Sequence, residues 1–592
     1  MKIDYAYPLY EVREIKDLRD MLEQSNKLYG DLTAYYVKDE RVRGGDVEFD
    51  KRGLPKRADA YIEVKFSQVY KDVRAAGTWI HSRAIQQPRI AILAGTRYEW
   101  YITYLATVNG SGIVIPLDKE LPADEVQSCL ERAEADVLVY AGDKADLVAE
   151  IRDDLPKLVR CVAMDEKKSR EDDFYFWDIL EQGREMIDEG DTSYDELEID
   201  PEEMRVLLFT SGTTAKAKAV MLSHKNICSN LMAMCSMIYI DENDTFLSVL
   251  PLHHTYECTC GFLCQLYRGS KVAVCDGLRY ITQNMKEVGV TMILVVPLIL
   301  EAFHGRIMKA AQADTMTNMK FNFGLKSTRF LRRLGFDLRR KIFKEIHENF
   351  GGKLRLIIAG GAAIEPQVMT DMQDIGFACL QGYGLTECAP ILALNRDHKF
   401  NNRSAGLPMP GVDVKVINKD ENGIGEICGK GPNVMIGYYG DPEKTAAAID
   451  EDGYYHTGDL GYLDKDGFVI LTGRKANLIV TKNGKNIFPE EIEQLLQQYE
   501  LIKEVVIGPK ALPSGDVEVH AFIFPNREKA DETPELKDKS LTSDEMREAM
   551  DEIIREVNHA LVSYKHIKSF SLRDTEFEKT TSKKIRRNLI HD

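Results

Sequence analysis

The sequence lacks the features of a membrane-spanning, secreted or nucleic-acid-binding protein. Its longest apolar run, Met292 to Leu300, is interrupted by Pro297 and is too short to cross a bilayer, so it is better interpreted as a buried strand. The amino-terminal residues carry charges throughout and contain no apolar signal segment. Acidic residues outnumber lysines and arginines by 95 to 77, and the net charge of −18 argues against a nucleic-acid partner.

Cysteines at paired spacing are also missing. The eleven cysteines are scattered, and even the closest three, Cys258, Cys260 and Cys264, have no second Cys or His pair at zinc spacing. Reduced, buried thiols are therefore the expectation, as in most proteins of the reducing cytoplasm. These absences together favour a cytoplasmic enzyme.

Strand-like and helix-like segments alternate through the first half of the chain. Residues 89–94 have a buried-strand pattern, Tyr98 to Asn109 a helical pattern, and Gly112 to Pro116 the pattern of the next strand. This alternation predicts an α/β fold with parallel sheets covered on both faces. After about Asn395, short β-like segments separated by Asn-Gly and Asp-Gly turns predict a small antiparallel subdomain.

A further unit begins past Arg474. Pro489 is placed to open a helix, and Ser543 to open a second one that runs to about Leu561. Strand patterns lie between the two helices, at 505–507 and 519–524. This part of the sequence predicts a compact α+β domain.

A hydroxyl- and glycine-rich segment follows the apolar run Val206 to Phe209. It reads TSGTTAKAK over residues 210–218 and ends with two lysines, Lys216 and Lys218. Such a loop can surround a polyphosphate with backbone N–H groups and hydroxyls, while lysine supplies positive charge. The spacing differs from that of a P-loop. We predict a phosphate-binding loop of another kind.

Four more motifs follow in order. They are LPLHHTYE at 250–257, LIIAGGAAI at 356–364, QGYGLTECAP at 381–390, and a long segment from YYHTGDLG to TKNGK at 454–485; the chain ends in FEKTTSKKIRRN. In this order and spacing the motifs closely resemble those of the adenylate-forming acyl-CoA synthetases. The stretch TKNGKNIFPEEIE is most similar to the long-chain fatty-acid–CoA ligases, and the resemblance extends from about residue 60 to the C-terminus.

The resemblance implies an ATP-dependent fatty acid–CoA ligase. A carboxylate would attack the α-phosphate of ATP with release of pyrophosphate, and coenzyme A would then displace AMP, with Mg²⁺ as cofactor. The fold implied is a large N-terminal domain, residues 1–473, of two doubly wound sheets plus a small β-subdomain. A small α+β C-terminal domain, residues 474–592, would carry the catalytic lysine and rotate about a hinge.

The resemblance also implies roles for the loop residues. Those expected to bind the β- and γ-phosphates are Thr210, Ser211, Gly212, Thr213, Thr214 and Lys218. The family usually has glycine, proline and glycine where this chain has Ala215, Ala217 and Ala219. Alanine restricts positive φ, so the loop is expected to be stiffer than is usual in the family.

The nucleotide would be held by residues from three of the other motifs. The residues that would surround the adenine are Gly360, Gly361, Ala362 and Tyr383, with Tyr383 stacking on the base. Thr386 would contact the α-phosphate, and Glu387 would ligate Mg²⁺. Asp459 would accept both ribose hydroxyls, with Arg474 as a further donor.

The acyl and CoA steps involve further positions. Lys584 matches the catalytic lysine, which would bridge the substrate carboxylate and the α-phosphate; Lys583 beside it and a solvated basic tail remain alternatives. Gly484 would lie by the pantetheine tunnel. His254 would lie near the acyl site or be a core histidine. Ala476 replaces a charged residue that the family commonly has at the hinge.

Residues 309–344 form a basic segment with ten lysines and arginines against two acids, Asp314 and Asp337. The apolar residues that recur through it at helical spacing are Leu331, Leu334, Leu338 and Ile342. One interpretation is a solvated face over a core-packed helix. The other is a basic amphipathic helix that makes weak peripheral contact with an anionic membrane.

Two other functions remain open beside the ligase. The first is an adenylating enzyme that loads a carrier-protein thiol or uses an aryl acid. The second is a catalytically impaired homologue, suggested by the alanines of the loop and by Ala476. CoA dependence of product formation separates the first alternative from the ligase.

Overall fold

The computed structural model describes residues 9–83, 85–166, 170, 173–210, 217–480, 485–511, 517–579 and 585–590. Tertiary packing divides the chain into two units. Unit 1 comprises Met1–Asp413 and Gly429–Tyr455, and unit 2 comprises Val414–Cys428 and His456–Asp592. The domain boundary expected at residue 474 is the hinge about which the C-terminal domain would rotate. A division by packing does not test rotation, so this boundary stays a prediction.

Up to residue 200, strands and helices alternate as the sequence predicts. The strands are β1 (Thr33–Val37), β2 (Ile62–Lys65), β3 (Arg89–Leu93), β4 (Ile113–Pro116), β5 (Val137–Tyr140), β6 (Arg160–Ala163) and β7 (Phe174–Tyr175). The helices are α1 (Leu18–Tyr29), α2 (Phe66–His81), α3 (Tyr98–Val108), α4 (Ala123–Ala133), α5 (Ala145–Ile151) and α6 (Phe176–Asp188).

The alternation continues to residue 413. The strands are β8 (Met204–Thr210), β9 (Lys218–Ser223), β10 (Thr245–Ser248), β11 (Lys271–Val274), β12 (Met292–Val295), β13 (Leu356–Ala359), β14 (Ala378–Gly384), β15 (Ile391–Leu394) and β16 (Leu407–Pro408). The helices are α7 (His224–Met237), α8 (Cys264–Arg268), α9 (Ile281–Val288), α10 (Pro297–Ala311), α11 (Thr315–Arg333), α12 (Arg339–Ile342), α13 (Lys344–Asn349) and α14 (Pro366–Ile375).

The remainder of the chain is richer in antiparallel strands. The strands are β17 (Asp413–Ile417), β18 (Gly425–Lys430), β19 (Gly437–Tyr438), β20 (Tyr455–Leu463), β21 (Val469–Arg474), β22 (Ile479–Val480), β23 (Asn486–Ile487), β24 (Ile502–Ala511), β25 (Val517–Pro525) and β26 (Ile567–Leu572). The helices are α15 (Pro442–Ala448), α16 (Pro489–Leu496), α17 (Arg527–Glu532) and α18 (Asp544–Ala560).

Two large sheets form unit 1. Sheet A has the order β16-β15-β14-β13-β12-β10-β11-β1-β2, and sheet B has the order β19-β9-β8-β4-β3-β5-β6-β7. The central strands of both sheets pair in parallel, from β14 to β1 in sheet A and from β8 to β7 in sheet B. Antiparallel strands complete the edges. This arrangement confirms the predicted α/β class.

Apolar helices and strands bury the core of each sheet. Leu300 and Phe303 of α10, with Met369 and Met372 of α14, pack against Ile293 and other strand residues of sheet A. A separate apolar cluster, which includes Ala91 and Leu138, lines sheet B. Buried on both faces, the central strands read as continuous apolar runs, which explains why the sequence reveals them readily.

Unit 2 holds smaller sheets. Strands β17-β18-β20-β21 form one, β24-β25-β26 another, and β22 pairs with β23. The predicted helix after Ser543 is α18, and the Ser543 side chain accepts a hydrogen bond from the backbone N–H of Met546 as its N-cap. The antiparallel strands predicted after Asn395 and the strands and helices predicted past Arg474 are present, whereas their assignment to domains stays a prediction.

Two predictions about single segments need correction. The apolar run from Met292 is a strand only as far as Val295; α10 then begins at Pro297, because proline suits a first helical turn. The basic segment is broken between α11 and α12 at Gly335, whose φ of 85° is left-handed. Among the described residues no helix combines the length and apolar character that a bilayer crossing needs.

Candidate active site

The site in unit 1 is built at one edge of sheet A. Strands β10, β12, β13 and β14 are neighbours and run in parallel, so their carboxyl ends meet at the same edge. In open α/β sheets this edge is where ligands bind. Three of the sequence motifs follow these strands directly, namely residues 250–257 after β10, 360–364 after β13 and 385–390 after β14.

A glycine turn follows β13. A Cβ on Gly360 would lie 2.9 Å from the Cζ atom of Tyr256, whose hydroxyl donates to the Ile358 carbonyl at 3.0 Å. Gly361 has a φ of 87°, a conformation that side chains disfavour. Gly361 and Ala362 are exposed beyond the strand end. The turn therefore depends on both glycines, and its contact with adenine stays a prediction.

The segment after β14 presents Tyr383, Thr386 and Glu387. Tyr383 lies within β14, and Thr386 and Glu387 begin a short 3-10 helix, Thr386–Cys388. Gly384 between them is tightly enclosed, because a Cβ there would lie 2.0 Å from the carbonyl oxygen of Pro390. The three predicted residues are thus brought to one strand end by a turn that only glycine fits.

Glu387 is held by a residue that the sequence analysis did not identify. Its side chain is 9% exposed, and its Oε1 atom accepts a hydrogen bond from the Tyr438 hydroxyl at 2.9 Å. Burial, together with the Glu387 carboxylate, raises the pKa of Tyr438, so the phenol stays protonated and donates. The signal in the sequence is weak: Tyr438 lies in the run GYYG, between glycines.

Tyr438 also links Glu387 to Lys218, which lies at the base of the predicted phosphate-binding loop. The Lys218 Nζ atom lies 5.0 Å from the centroid of the Tyr438 ring, a cation–π distance. Tyr438 belongs to β19, which pairs with β9, the strand that begins at Lys218. Lys218, Tyr438 and Glu387 therefore form a continuous chain of contacts.

The hairpin β8–β9 closes the hydroxyl-rich loop at its base. Thr210 pairs with Lys218, and the Thr210 hydroxyl lies 3.5 Å from the Lys218 carbonyl oxygen. Ala219 lies inside β9 opposite Phe209, so alanine in place of the usual glycine meets an extended backbone there. Ser211, Gly212, Thr213, Thr214 and Ala215, for which phosphate contacts or loop stiffness are predicted, lie outside the described residues.

The segment after β10 contains a buried acid. Glu257 is fully buried and accepts a hydrogen bond from the Ser248 hydroxyl at 2.5 Å. Burial raises the pKa of Glu257 to about 8, so the carboxyl is mostly neutral at pH 7. It belongs to a π-helix, Tyr256–Leu263, a form often found at functional sites. In the sequence, the feature that could have predicted this buried acid is its position inside the apolar run YECTCGFL.

Two histidines precede this π-helix. His254 is exposed, which excludes the core-histidine alternative; its role at an acyl site stays a prediction. The His253 ring is 4.1 Å from that of His254, and its Nε2 is 3.6 Å from Oδ2 of Asp118. Burial, with a smaller effect of His254, lowers the pKa of His253 to about 3, so this ring is neutral.

The donor set at Glu387 suits a hard cation. Within the described ranges no group of three or more His, Cys, Asp or Glu side chains is arranged to hold a metal. Magnesium in nucleotide enzymes needs no such group, because one or two carboxylates with phosphates and water suffice. A carboxylate held by a neutral phenol, as Glu387 is, fits that requirement.

Unit 2 brings together the residues predicted to bind ribose. Asp459 in β20 and Arg474 at the end of β21 are register partners, and Arg474 Nε lies 2.7 Å from Asp459 Oδ1. Asp459 is buried, and its backbone N–H donates to the Thr457 hydroxyl at 3.0 Å. A fixed carboxylate with an arginine beside it can accept hydrogen bonds from a diol.

The predicted hinge follows β21. Lys475 Nζ contacts Glu426 Oε2 at 2.8 Å, and Asn477 Nδ2 donates to Glu490 Oε1 at 2.5 Å. Ala476 between them is exposed, so this position does not require a particular side chain for packing. Lys584, Lys583 and Gly484, predicted for adenylation and CoA binding, lie outside the described residues.

Comparison with protein families gives two matches. Residues 45–439 match the profile of the AMP-binding enzymes, and residues 476–592 match the profile of the AMP-binding enzyme C-terminal domain.

Curated relatives are similar over most of the chain. Long-chain-fatty-acid–CoA ligase 1 of Cavia porcellus is 31% identical over 458 residues, which are 72% of this chain and 64% of the relative. The human long-chain-fatty-acid–CoA ligase 1 is 30% identical over 483 residues, 75% of this chain and 68% of the relative. The chain thus spans about two thirds of the length of the relatives it matches.

Solved structures share the fold. The Bacillus subtilis o-succinylbenzoate–CoA synthetase, in complex with its acyl-adenylate intermediate, has a TM-score of 0.71 at 19% identity, covering 97% of this chain and 98% of that one. The Mycobacterium tuberculosis fatty acyl CoA synthetase has a TM-score of 0.63 at 18% identity, covering 96% of both chains.

Proposed function

Because the chain belongs to the AMP-binding enzyme family, we propose that it is an ATP-dependent fatty acid–CoA ligase. The observation that carries the proposal is the similarity, at 30–31% identity, to curated long-chain-fatty-acid–CoA ligases. The geometry of unit 1 supports it, because Glu387 and the glycine turn at Gly360 lie at the edge of sheet A, and Tyr438 connects Glu387 to Lys218 of sheet B.

The first half-reaction is carboxylate adenylation. A carboxylate oxygen of the fatty acid bonds to the α-phosphorus of ATP, and the bond from that phosphorus to the bridging oxygen of pyrophosphate breaks. No proton moves, so the protein's task is positioning and charge stabilisation. Lys218 and Thr210 would hold the β- and γ-phosphates, Thr386 would contact the α-phosphate, and Lys584 would bridge it to the carboxylate.

Glu387 would hold Mg²⁺, which when bound neutralises phosphate charge. Tyr438 keeps the Glu387 carboxylate oriented through its 2.9 Å hydrogen bond. The same tyrosine ring faces the Lys218 ammonium, so the positions of the carboxylate and of the ammonium are coupled. This coupling gives Tyr438 a positioning role.

Asp459 would accept the two ribose hydroxyls, with Arg474 fixing its carboxylate. In the second half-reaction the CoA sulfur, having lost its proton, attacks the acyl carbonyl carbon, and the bond to the AMP oxygen breaks. Gly484 would lie beside the pantetheine chain, and His254 near the acyl group. The enzyme would be cytoplasmic and would act on fatty acids with medium to long chains.

The test is pyrophosphate release with ATP and Mg²⁺, for acids from acetate to oleate and for benzoate, with and without CoA. Turnover that requires CoA, yields acyl-CoA and peaks at one fatty acid supports the ligase. Release without acyl-CoA product indicates a carrier-protein acceptor, and a preference for benzoate indicates an aryl acid. No release with any acid indicates the impaired homologue.

Lys584→Ala separates the two steps. We expect a large loss of adenylation, while thioester formation from preformed acyl-adenylate is largely kept, because the bridge to the α-phosphate is needed only in the first step. Lys583→Ala is the matched control and should retain adenylation. Equal loss of both steps in Lys584→Ala would reject the assigned role.

A further inference from the structure

Helix α11 of unit 1 has two opposite faces of different kinds. Phe321 and Leu325 pack against the core of sheet A, and Gly324 and Thr328 on the same side of the helix are buried. At helical spacing, the opposite side carries large apolar residues that are 57 to 74% exposed: Met316, Met319, Phe323, Phe330 and, just past the helix end, Leu334. We call these five residues the α11 face.

The α11 face differs from the stripe predicted from the sequence. Leu331 turns partly inward, and Leu338 and Ile342 lie past the break at Gly335. The helix is anchored by one apolar side and therefore does not need the α11 face for folding. A contiguous set of exposed aromatic and aliphatic side chains of this kind is typical of an interaction surface.

The charge around the α11 face is positive in a protein that is negative overall. The segment 309–344 has ten basic residues against two acids, whereas the whole chain has a net charge of −18. Some of these arginines are paired with acids at the surface, since Arg329 and Arg332 lie near Asp374, and Arg339 contacts Asp337.

Other basic groups of the segment point to solvent. The exposed ones are Lys309, Lys320, Lys326, Arg333, Arg340, Lys341 and Lys344. Of these, Arg340 donates to the backbone carbonyls of Gly352 and Leu354, and Lys344 lies 3.4 Å from Glu348. On the helical projection of α11, Lys320 and Lys326 flank the α11 face on opposite sides. Apolar side chains bordered by lysines form the pattern of a helix that lies in a membrane interface.

We propose that the α11 face and its flanking lysines dock unit 1 on an anionic lipid bilayer. The apolar side chains would enter the acyl–headgroup boundary, and the lysines would contact lipid phosphates. Charge complementarity selects this occupant: a second copy of the chain would bring an equal positive charge to the contact. Docking requires neither ATP nor fatty acid, so its failure would leave the proposed ligase activity untouched.

The test is flotation of the full-length protein with phosphatidylcholine vesicles, and with the same vesicles containing phosphatidylglycerol. We expect binding to the anionic vesicles at about 50 mM salt that weakens strongly by about 300 mM, because the Debye length shrinks over that range. Equal binding to neutral vesicles, or absence of binding to anionic vesicles at low salt, would overturn the proposal.

Two variants separate the charge from the apolar contribution. The lysine variant combines Lys320→Gln, Lys326→Gln and Lys341→Gln, and its matched control combines Lys27→Gln, Lys71→Gln and Lys157→Gln, which are also exposed. The variant should bind anionic vesicles about 100-fold more weakly, given the attraction of each lysine to an anionic surface. The control should change binding less than about twofold.

The apolar variant combines Met319→Gln, Phe323→Gln and Phe330→Gln, and its control combines Leu28→Gln, Val159→Gln and Leu278→Gln, which are exposed elsewhere. The variant should lose vesicle binding while keeping its thermal unfolding midpoint, since these side chains are exposed already. Sedimentation velocity without vesicles tests a second copy: self-association that the variant abolishes, with vesicle binding unchanged, would refute lipid docking.

Discussion

Tyr438→Phe tests whether the phenol positions Glu387. The substitution removes the 2.9 Å hydrogen bond to the Glu387 carboxylate but keeps the ring that faces Lys218. Both Tyr438 and Glu387 are buried, so water cannot easily replace the donor. A hydrogen bond to a charged group contributes about 1.5–3 kcal/mol, which corresponds to a loss of roughly 10- to 150-fold in kcat/KM for adenylation.

The assay is pyrophosphate release as a function of Mg²⁺ and ATP concentration. We expect the Mg²⁺ concentration for half-maximal rate to rise together with the loss in kcat/KM, whereas a merely structural effect would lower the unfolding midpoint without changing Mg²⁺ dependence. Tyr438→Leu also removes the ring over Lys218 and should cost about 0.5–2 kcal/mol more.

Tyr439→Phe is the matched control. Its hydroxyl accepts from Arg89 at 2.7 Å, in contacts remote from the carboxylate, and the substitution should leave Mg²⁺ dependence unchanged. If Tyr438→Phe retains wild-type kinetics while Glu387→Ala abolishes adenylation, the positioning argument is refuted.

Three further predictions concern other described residues. Gly384→Ala should lower the thermal unfolding midpoint strongly, because its Cβ would lie 2.0 Å from the Pro390 carbonyl oxygen, whereas Gly305→Ala in α10 meets open space and should be neutral or stabilising. Asp459→Asn should raise the KM for ATP about tenfold or more, with fatty-acid KM unchanged, since an amide replaces one carboxylate acceptor; an unchanged ATP KM would contradict the ribose role. Burial raises the pKa of Glu257 from 4.5 to about 8, so the folded protein retains a proton that the unfolded chain releases. The measurement is denaturant unfolding of wild type and Glu257→Gln as a function of pH. The free energy of unfolding of wild type, relative to that of the variant, should fall by at most about 4–5 kcal/mol between about pH 5 and 8 and then level off. A difference that does not change with pH would refute this.

Much of the fold follows from the sequence for a physical reason. The central strands are buried on both faces and appear as unbroken apolar runs, so β3 and β4 match their predicted segments within a residue or two. Where one apolar run serves two elements, as from Met292 to Leu300, periodicity alone does not separate strand from helix, and Pro297 was the better guide.

The site was predictable only in part. Motif order predicts roles for Thr386, Glu387 and Asp459, and the structure places each at a strand end or within a strand; the roles themselves stay predictions. Tyr438 lies far along the chain from Glu387 and carries no local pattern, so only the packing of sheet B reveals its hydrogen bond. Glu257 is indicated locally only by its position inside the apolar run YECTCGFL, and its burial is established by the packing around the π-helix.

The hydrogen bond between Tyr438 and Glu387 has a mechanical consequence, because it joins two different sheets. Tyr438 belongs to β19 of sheet B, whereas Glu387 follows β14 of sheet A. Movement of one sheet relative to the other would therefore change the distance between these two side chains. A substitution that shifts one sheet relative to the other should therefore alter the position of the Glu387 carboxylate even when the substituted residue lies far from any ligand.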